Sequence, residues 1–259
     1  MDILQKIERY YNSFSGEKGI IGFSEKSKPI YYFCVAKSFY PKIIVQCGMH
    51  AREHITSHLC LKLIDYFSEF SKVGTVYFIP AVNPDGIKIA INTLPLYKAN
   101  ARGVDLNVNF DAKWGCGAKN VTTCGAENYI GRAPFSEKES YSLAAFTLLI
   151  YPHLTVSFHS KGEEIYYEFN QNLADKERDY SIAKTVQNQN GYAIKATPLS
   201  SGGYKDWCIQ NLKIPALTIE VGADNLSHPI GVKHLGAIFN KNKNLLSAVI
   251  HRLMELKWT

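Results

Sequence analysis

Five apolar runs constrain this chain most: PIYYFCVA (29–36), KIIVQCG (42–48), TVYFIPAV (75–82), LTVSFH (154–159) and PALTIEV (215–221). Each is short, rich in β-branched and aromatic residues, and lacks the polar alternation of a strand with one wet face. Such runs are strands buried on both faces, which places them at the centre of a largely parallel or mixed sheet. Segments of helical period separate them, at 53–71, 136–150, 173–189 and 233–256, with a shorter one at 203–211. The N-terminal MDILQKIERYYNSF reads as an amphipathic helix. Strands alternating with helices predict an α/β domain whose sheet is flanked by helices. With 259 residues, 46% of them hydrophobic, the chain suits a single domain over 1–259, of which 1–30 form a helix and lead-in.

Two polar, Gly/Asn-rich loops, 98–135 and 160–172, are long for a compact domain, and loops of that kind are usually functional. In open α/β sheets ligands gather beyond the carboxyl ends of the strands. His50 follows the second run, Asn83 and Asp85 follow the third, His159 ends the fourth and Glu220 lies in the fifth. Asn83 and Asp85, in NPDG, are expected to shape a tight turn. The other three bring ionisable groups to one rim.

The stretch HAREHITSHLC (50–60) can be read in two ways. As H-x-x-E-H it is the inverted zinc-protease signature, with both histidines on one helical face. That requires His50 to be inside a helix, yet Gly48 and the preceding strand put it in the strand-to-helix turn. With a helix starting near Arg52 or Glu53, His50 and Glu53 point together into the crevice and His54 rotates away. His159, from the neighbouring strand end, then completes a two-histidine, one-carboxylate set with a water, the pattern of catalytic zinc. Nitrogen and oxygen ligands with hydrolytic chemistry make Zn²⁺, one per chain, the expected metal. His54 and His58 are expected on the helix surface or packed beside the site.

The net charge of +6 is spread over scattered lysines, so the sequence predicts no nucleic-acid partner, while a mildly basic surface suits an acidic substrate. No apolar h-region opens the chain and no run reaches the roughly 18 apolar residues of a membrane span, so the expectation is a cytoplasmic protein without a membrane partner. Cys34, Cys47, Cys60 and Cys208 sit in or beside apolar segments, as buried free thiols do. Cys116 and Cys124 flank a glycine-rich loop, where they could close a small disulfide or hold a second metal; the expectation is that they are reduced as well.

GMHAREH (48–54), NPDG (83–86), NARGVDLN (100–107), SFHS (157–160) and TIEVG (218–222) occur in the order and approximate spacing of the zinc carboxypeptidase family. The chain resembles that family from about residue 40 onward. LYKANARGVDLN, PFSEKES, SGGYKDW and SHPI are most similar to its bacterial γ-D-glutamyl-diamino-acid peptidase branch, which cuts cell-wall muropeptides beside meso-diaminopimelate. The resemblance implies a mixed sheet of about eight strands between helices and a small peptide or muropeptide as substrate. It implies His50, Glu53 and His159 as zinc ligands and Asp105 as hydrogen-bond acceptor for His50. Glu220 is implied as the base for the attacking water and the acid for the departing amine. An acid buried at the end of a central strand is costly unless used, which agrees. Lys98, at the family's oxyanion arginine position, or Arg102 nearby would stabilise the transition state. Arg52 and Asn107 match substrate-contacting positions.

Two departures bear on specificity. The family's clamp arginine after Asn107 is Val108 here, and the tyrosine that caps the substrate in many members has no counterpart near Pro198. Tyr204, Lys205 and Asp206, at the start of a helix near the rim, are candidates to replace those contacts. The leading expectation is hydrolysis of the γ-D-glutamyl-diamino-acid bond. A metallocarboxypeptidase, an amino-acid deacylase and a silent peptidoglycan-fragment-binding fold are the alternatives.

Overall fold

A computed structural model describes residues 1–196 and 199–256. Helix α1 (Ile3–Ser13) opens with a reciprocal cap, in which Gln5 N donates to Asp2 Oδ1 and Asp2 N to Gln5 Oε1. There follow β1 (Lys18–Phe23), β2 (Pro29–Ala36), β3 (Lys42–Gln46), α2 (Ile55–Phe70), β4 (Thr75–Ile79), α3 (Pro84–Asn92) and α4 (Lys138–Ile150). The second half contains β5 (Leu154–His159), β6 (Glu164–Tyr166), α5 (Leu173–Asn190), β7 (Ala193–Ile194), α6 (Tyr204–Leu212), β8 (Ala216–Glu220), α7 (Leu235–Asn242) and α8 (Leu245–Glu255).

All eight strands form one mixed sheet in the order β1-β2-β4-β3-β5-β8-β6-β7. Four of the five apolar runs, in β4, β3, β5 and β8, are its central parallel strands. The fifth, β2, pairs antiparallel between β1 and β4. The lack of alternation is explained by helices on both faces. Ile43 and Val45 of β3 belong to a core shared with α1, α2, α5, α7 and α8, whereas Ile44 between them packs into a second core with α4 and α6. Successive side chains point to opposite faces, so a strand with a core on each side has nowhere to expose a polar residue.

The structure corrects several expectations. The lead-in to residue 30 contains a full edge strand, β1, whose mixed burial hid it. NPDG opens helix α3 instead of closing a turn: Asn83 Oδ1 accepts from Gly86 N at 2.9 Å and Pro84 fills the first position, where its missing N–H is not needed. The 160–172 loop contains β6, too short to show a period. The segment 233–256 is a 3₁₀ turn and two helices, α7 and α8. Asn242, buried at that break, donates to Ile238 O and the Tyr192 hydroxyl and accepts from Asn190. In 98–135 the regular structure is a 3₁₀ turn, Leu106–Val108, and an isolated bridge between Val121 and Tyr129.

Candidate active site

Strand β3 runs out through Cys47 into Gly48, whose φ of +62° turns the chain, and a Cβ there would lie 2.7 Å from Ser57 Oγ. The turn delivers His50 as the cap of a 3₁₀ segment, Ala51–Glu53, with α2 beginning at Ile55. His50 is thus outside the helix and Glu53 one tight turn on, so both side chains face the same way. His50 Nδ1 lies 2.9 Å from Glu53 Oε1. His159, the last residue of β5, approaches from the adjacent strand, with Nδ1 3.1 Å from His50 Nδ1 and 3.1 Å from Glu53 Oε2. His54 is absent from this group of convergent ligand atoms. It sits at the start of α2 with its ring toward His58, and burial holds both of their pKa values down.

Two imidazole nitrogens and a carboxylate converge here in a buried space. Separations of 2.9 and 3.1 Å are close to the roughly 3.3 Å edge of a tetrahedron with zinc bond lengths. His159 Nε2 has no hydrogen-bond partner among the described residues, and its Nδ1 is the nitrogen that faces this centre. The donor set fits zinc. Glu53 Oε2 is also held by the backbone N–H of Ser160 at 3.1 Å, which fixes the carboxylate. His50 Nε2 meets Asp105 Oδ1 at 3.1 Å, setting the tautomer that leaves Nδ1 free for the metal. Without metal, burial opposes charge on His50, but the carboxylates of Glu53 and Asp105 outweigh it and push its pKa up to about 9.

Asp105 is itself buried, and burial alone would raise it. Lys98 and His50 prevail and hold it far below the usual carboxylate range. Its Oδ2 is 2.6 Å from Lys98 Nζ, and its Oδ1 accepts from Asn107 N at 2.9 Å. Lys98 Nζ donates further to Asn128 Oδ1 at 2.8 Å. Glu220 ends β8, opposite His159 in the parallel ladder and opposite Glu164 in the antiparallel one. Enclosure raises its pKa well above the ordinary range, and the charge of Glu53 adds to that. His50, Lys98, Asp105, Asn107 and Glu220 open on one cleft of about 510 Å³.

Other expected site residues lie elsewhere. Arg102 approaches Glu137 at 3.5 Å and Glu25 at 3.9 Å, in a separate acidic cluster, whereas Lys98 lines the cleft. Arg52 pairs with Glu127 at 3.1 Å and reaches Leu96 O. The contacts expected of α6 are corrected. Tyr204 is fully buried with its hydroxyl 2.8 Å from Thr147 Oγ1. Lys205 is buried against Asp206 Oδ1 at 2.5 Å and Glu168 O at 2.8 Å, and Asp206 also accepts from Gly203 N. These groups satisfy one another inside the fold. Asn107 does line the cleft, and its Oδ1 accepts from Tyr204 N at 3.3 Å. Pro198, where a capping tyrosine is missing, lies outside the described residues. Tyr166 on β6 lines the cleft instead, with its hydroxyl bonded to Glu164, and Asn128 was likewise missed. A three-residue strand and a lone loop amide carry no sequence signal. All six cysteines are free, and Cys116 and Cys124 are exposed.

The zinc carboxypeptidase family model matches residues 2–229. The chain belongs to the zinc carboxypeptidase family. As a member it is a zinc metallopeptidase, and His50, Glu53 and His159 form the group that can hold the metal. Among curated zinc carboxypeptidase relatives, γ-D-glutamyl-L-diamino acid endopeptidase 1 of Lysinibacillus sphaericus is 27% identical, over 97% of this chain and 71% of its own length. Carboxypeptidase B2 of Rattus norvegicus is 29% identical, over 79% of this chain and 57% of its own. Against several of the carboxypeptidase relatives, then, the chain spans little more than half their length. Bovine thrombin-activatable fibrinolysis inhibitor, solved with a tick carboxypeptidase inhibitor, superposes with a TM-score of 0.84 at 23% identity, covering 98% of this chain and 95% of that one. Murein-tripeptide amidase MpaA of Escherichia coli O157 gives 0.61 at 20% identity, covering 97% and 96%. The last two likenesses carry the fold. Among the described residues no helix is long and apolar enough to cross a membrane.

Proposed function

We propose that the protein hydrolyses the γ-D-glutamyl-diamino-acid bond of peptidoglycan muropeptides. The observation that carries the reading is the wall of the cleft: next to Asn107 stands Val108, which has no charge to grip a peptide's terminal carboxylate, while Glu220 and Lys98 are kept beside the zinc-binding group. The 27% identity with a γ-D-glutamyl-L-diamino acid endopeptidase over nearly the whole chain supports the same substrate class. Zinc held by His50, Glu53 and His159 would supply Lewis acidity, acidifying a water and polarising the scissile carbonyl. Glu220 takes the proton of the attacking water and returns it to the departing amine. Lys98, held in place by Asp105 and Asn128, faces the negative charge that develops on the carbonyl oxygen. Six free thiols, two of them exposed, suit a reducing compartment, and we place the reaction in the cytoplasm.

The test is mass spectrometry of L-Ala-γ-D-Glu-meso-diaminopimelate incubated with zinc-loaded protein, beside the Glu220→Gln variant. Free diaminopimelate from the wild type, with the zinc-replete variant slowed by at least about a hundredfold, supports the reading. No release from protein shown to contain zinc would discard it. The 29% identity with a carboxypeptidase B2 would then make C-terminal amino-acid release from ordinary peptides the reading to examine.

A further inference from the structure

The cleft contains two lysines that differ in what surrounds them. Lys98 is neutralised by Asp105 at 2.6 Å. Lys119 lines the same cleft, is exposed, and has no ion pair or hydrogen bond among the described residues. It stands at the tip of a turn closed by Asn120 N donating to Gly117 O at 2.9 Å, and Ala118 N pins that turn to Leu199 O at 2.9 Å. Leu199 and Ser200 form the adjoining wall, and Gly202 seats this segment against the Val108 backbone, where a Cβ would lie 2.8 Å from the carbonyl oxygen. Beside Lys119, the Asn120 amide nitrogen is enclosed with no acceptor among the described residues. A tethered turn thus presents an uncompensated cation beside an unsatisfied donor, in a cleft whose other cation is already paired.

We propose that Lys119 is a specificity residue that pairs with a carboxylate of the leaving diamino acid. The inference rests on the muropeptide reading and adds to it the group that selects a substrate bearing carboxylates beyond the cut bond. An unpaired cation at the mouth of a cleft attracts an anion without first breaking an internal ion pair, as Lys98 would have to. A contact with a carboxylate of the leaving group that is made equally in the ground state and the transition state changes binding and leaves the chemical step alone.

The test compares three substrates with the zinc-loaded full chain: L-Ala-γ-D-Glu-meso-diaminopimelate and its two monoamides, each with one diaminopimelate carboxylate converted to a carboxamide. The expected result is a wild-type KM about tenfold higher for one monoamide than for the parent, at similar kcat. Lys119→Met raises the KM of the parent by a similar factor and no longer separates it from that monoamide, whereas Lys119→Arg keeps the separation. Zinc content and circular dichroism establish that the variants are folded. A wild type that treats all three substrates alike, or a Lys119→Met variant that still discriminates, overturns the inference and leaves the muropeptide reading standing. Failure to cleave the parent removes both.

Discussion

At the scale of single residues, the decisive feature is where helix α2 begins. His50 caps a 3₁₀ segment instead of lying inside α2, and of the three letters H, E and H this brings the first two, His50 and Glu53, into the group that can hold a metal, without His54. Equilibrium dialysis should therefore find zinc retained in His54→Ala and lost in His159→Ala; the opposite pattern would restore the inverted-signature reading. Asp105 meets His50 Nε2 at 3.1 Å, and the role proposed for it is to act through His50, orienting the ring and raising its basicity. Asp105→Asn is expected to weaken zinc binding by 10- to 100-fold in competition with a chelating dye. Unchanged affinity would show that packing alone holds the ring. These residues were legible because each ligand ends a strand or follows one closely, and the ends of the apolar runs could be read directly. Lys98 could be placed by its spacing from Asn107, but choosing it over Arg102 needed the acidic cluster of Glu25 and Glu137 that captures the arginine.

At the scale of elements, α6 shows where a local pattern misleads. A Gly-Gly turn, a tyrosine and a lysine at a helix start near the rim have the makings of an anion site, yet the helix turns that end inward. Tyr204 and Trp207 pack around Phe110, and Lys205 is left in the interior, paired with Asp206 and over the ring of Phe169. Removing one partner of such a buried pair strands the other charge. Lys205→Met should destabilise the fold by about 3–5 kcal/mol in urea titration. At a temperature where the variant stays folded, kcat/KM per zinc-loaded molecule should be near that of wild type. A selective rise in KM with unchanged stability would instead return Lys205 to the substrate. Sequence periodicity places a helix but not the azimuth at which it meets its neighbours, and that angle separates a cleft residue from a core one.

At the scale of the whole molecule, a second polar network ties distant parts of the chain together. Glu139 at the start of α4 accepts from Glu25 N, beyond β1, at 3.1 Å and from Asn100, in the long loop, at 3.2 Å. Burial raises its pKa to about 7, with the Glu25 charge adding to that and the hydrogen bonds opposing it. A carboxyl whose folded-state pKa lies above its unfolded value stabilises the fold fully below the unfolded value, near 4.5, and loses that contribution as pH rises through about 7. Thermal melts should thus show a loss of a few degrees between pH 5 and pH 8 that is absent from Glu139→Gln, whatever that variant's absolute stability. Parallel curves for the two proteins would refute the assignment. The sequence by itself determined the central strands, most of the helices between them, and which strand ends bear His50, Glu53, His159 and Glu220, because burial on two faces and the turn after a strand are local properties of composition and spacing. Only the tertiary structure decided that Arg102 and Tyr204 are absorbed by partners far away in the chain, that Lys205 is turned inward onto Asp206 and Glu168 O, that Tyr166 and Asn128 reach the cleft, and that Lys119 has no partner among the described residues. Those outcomes depend on which loops meet across the sheet, and the neighbours they create are many residues apart in sequence, where no local pattern encodes them.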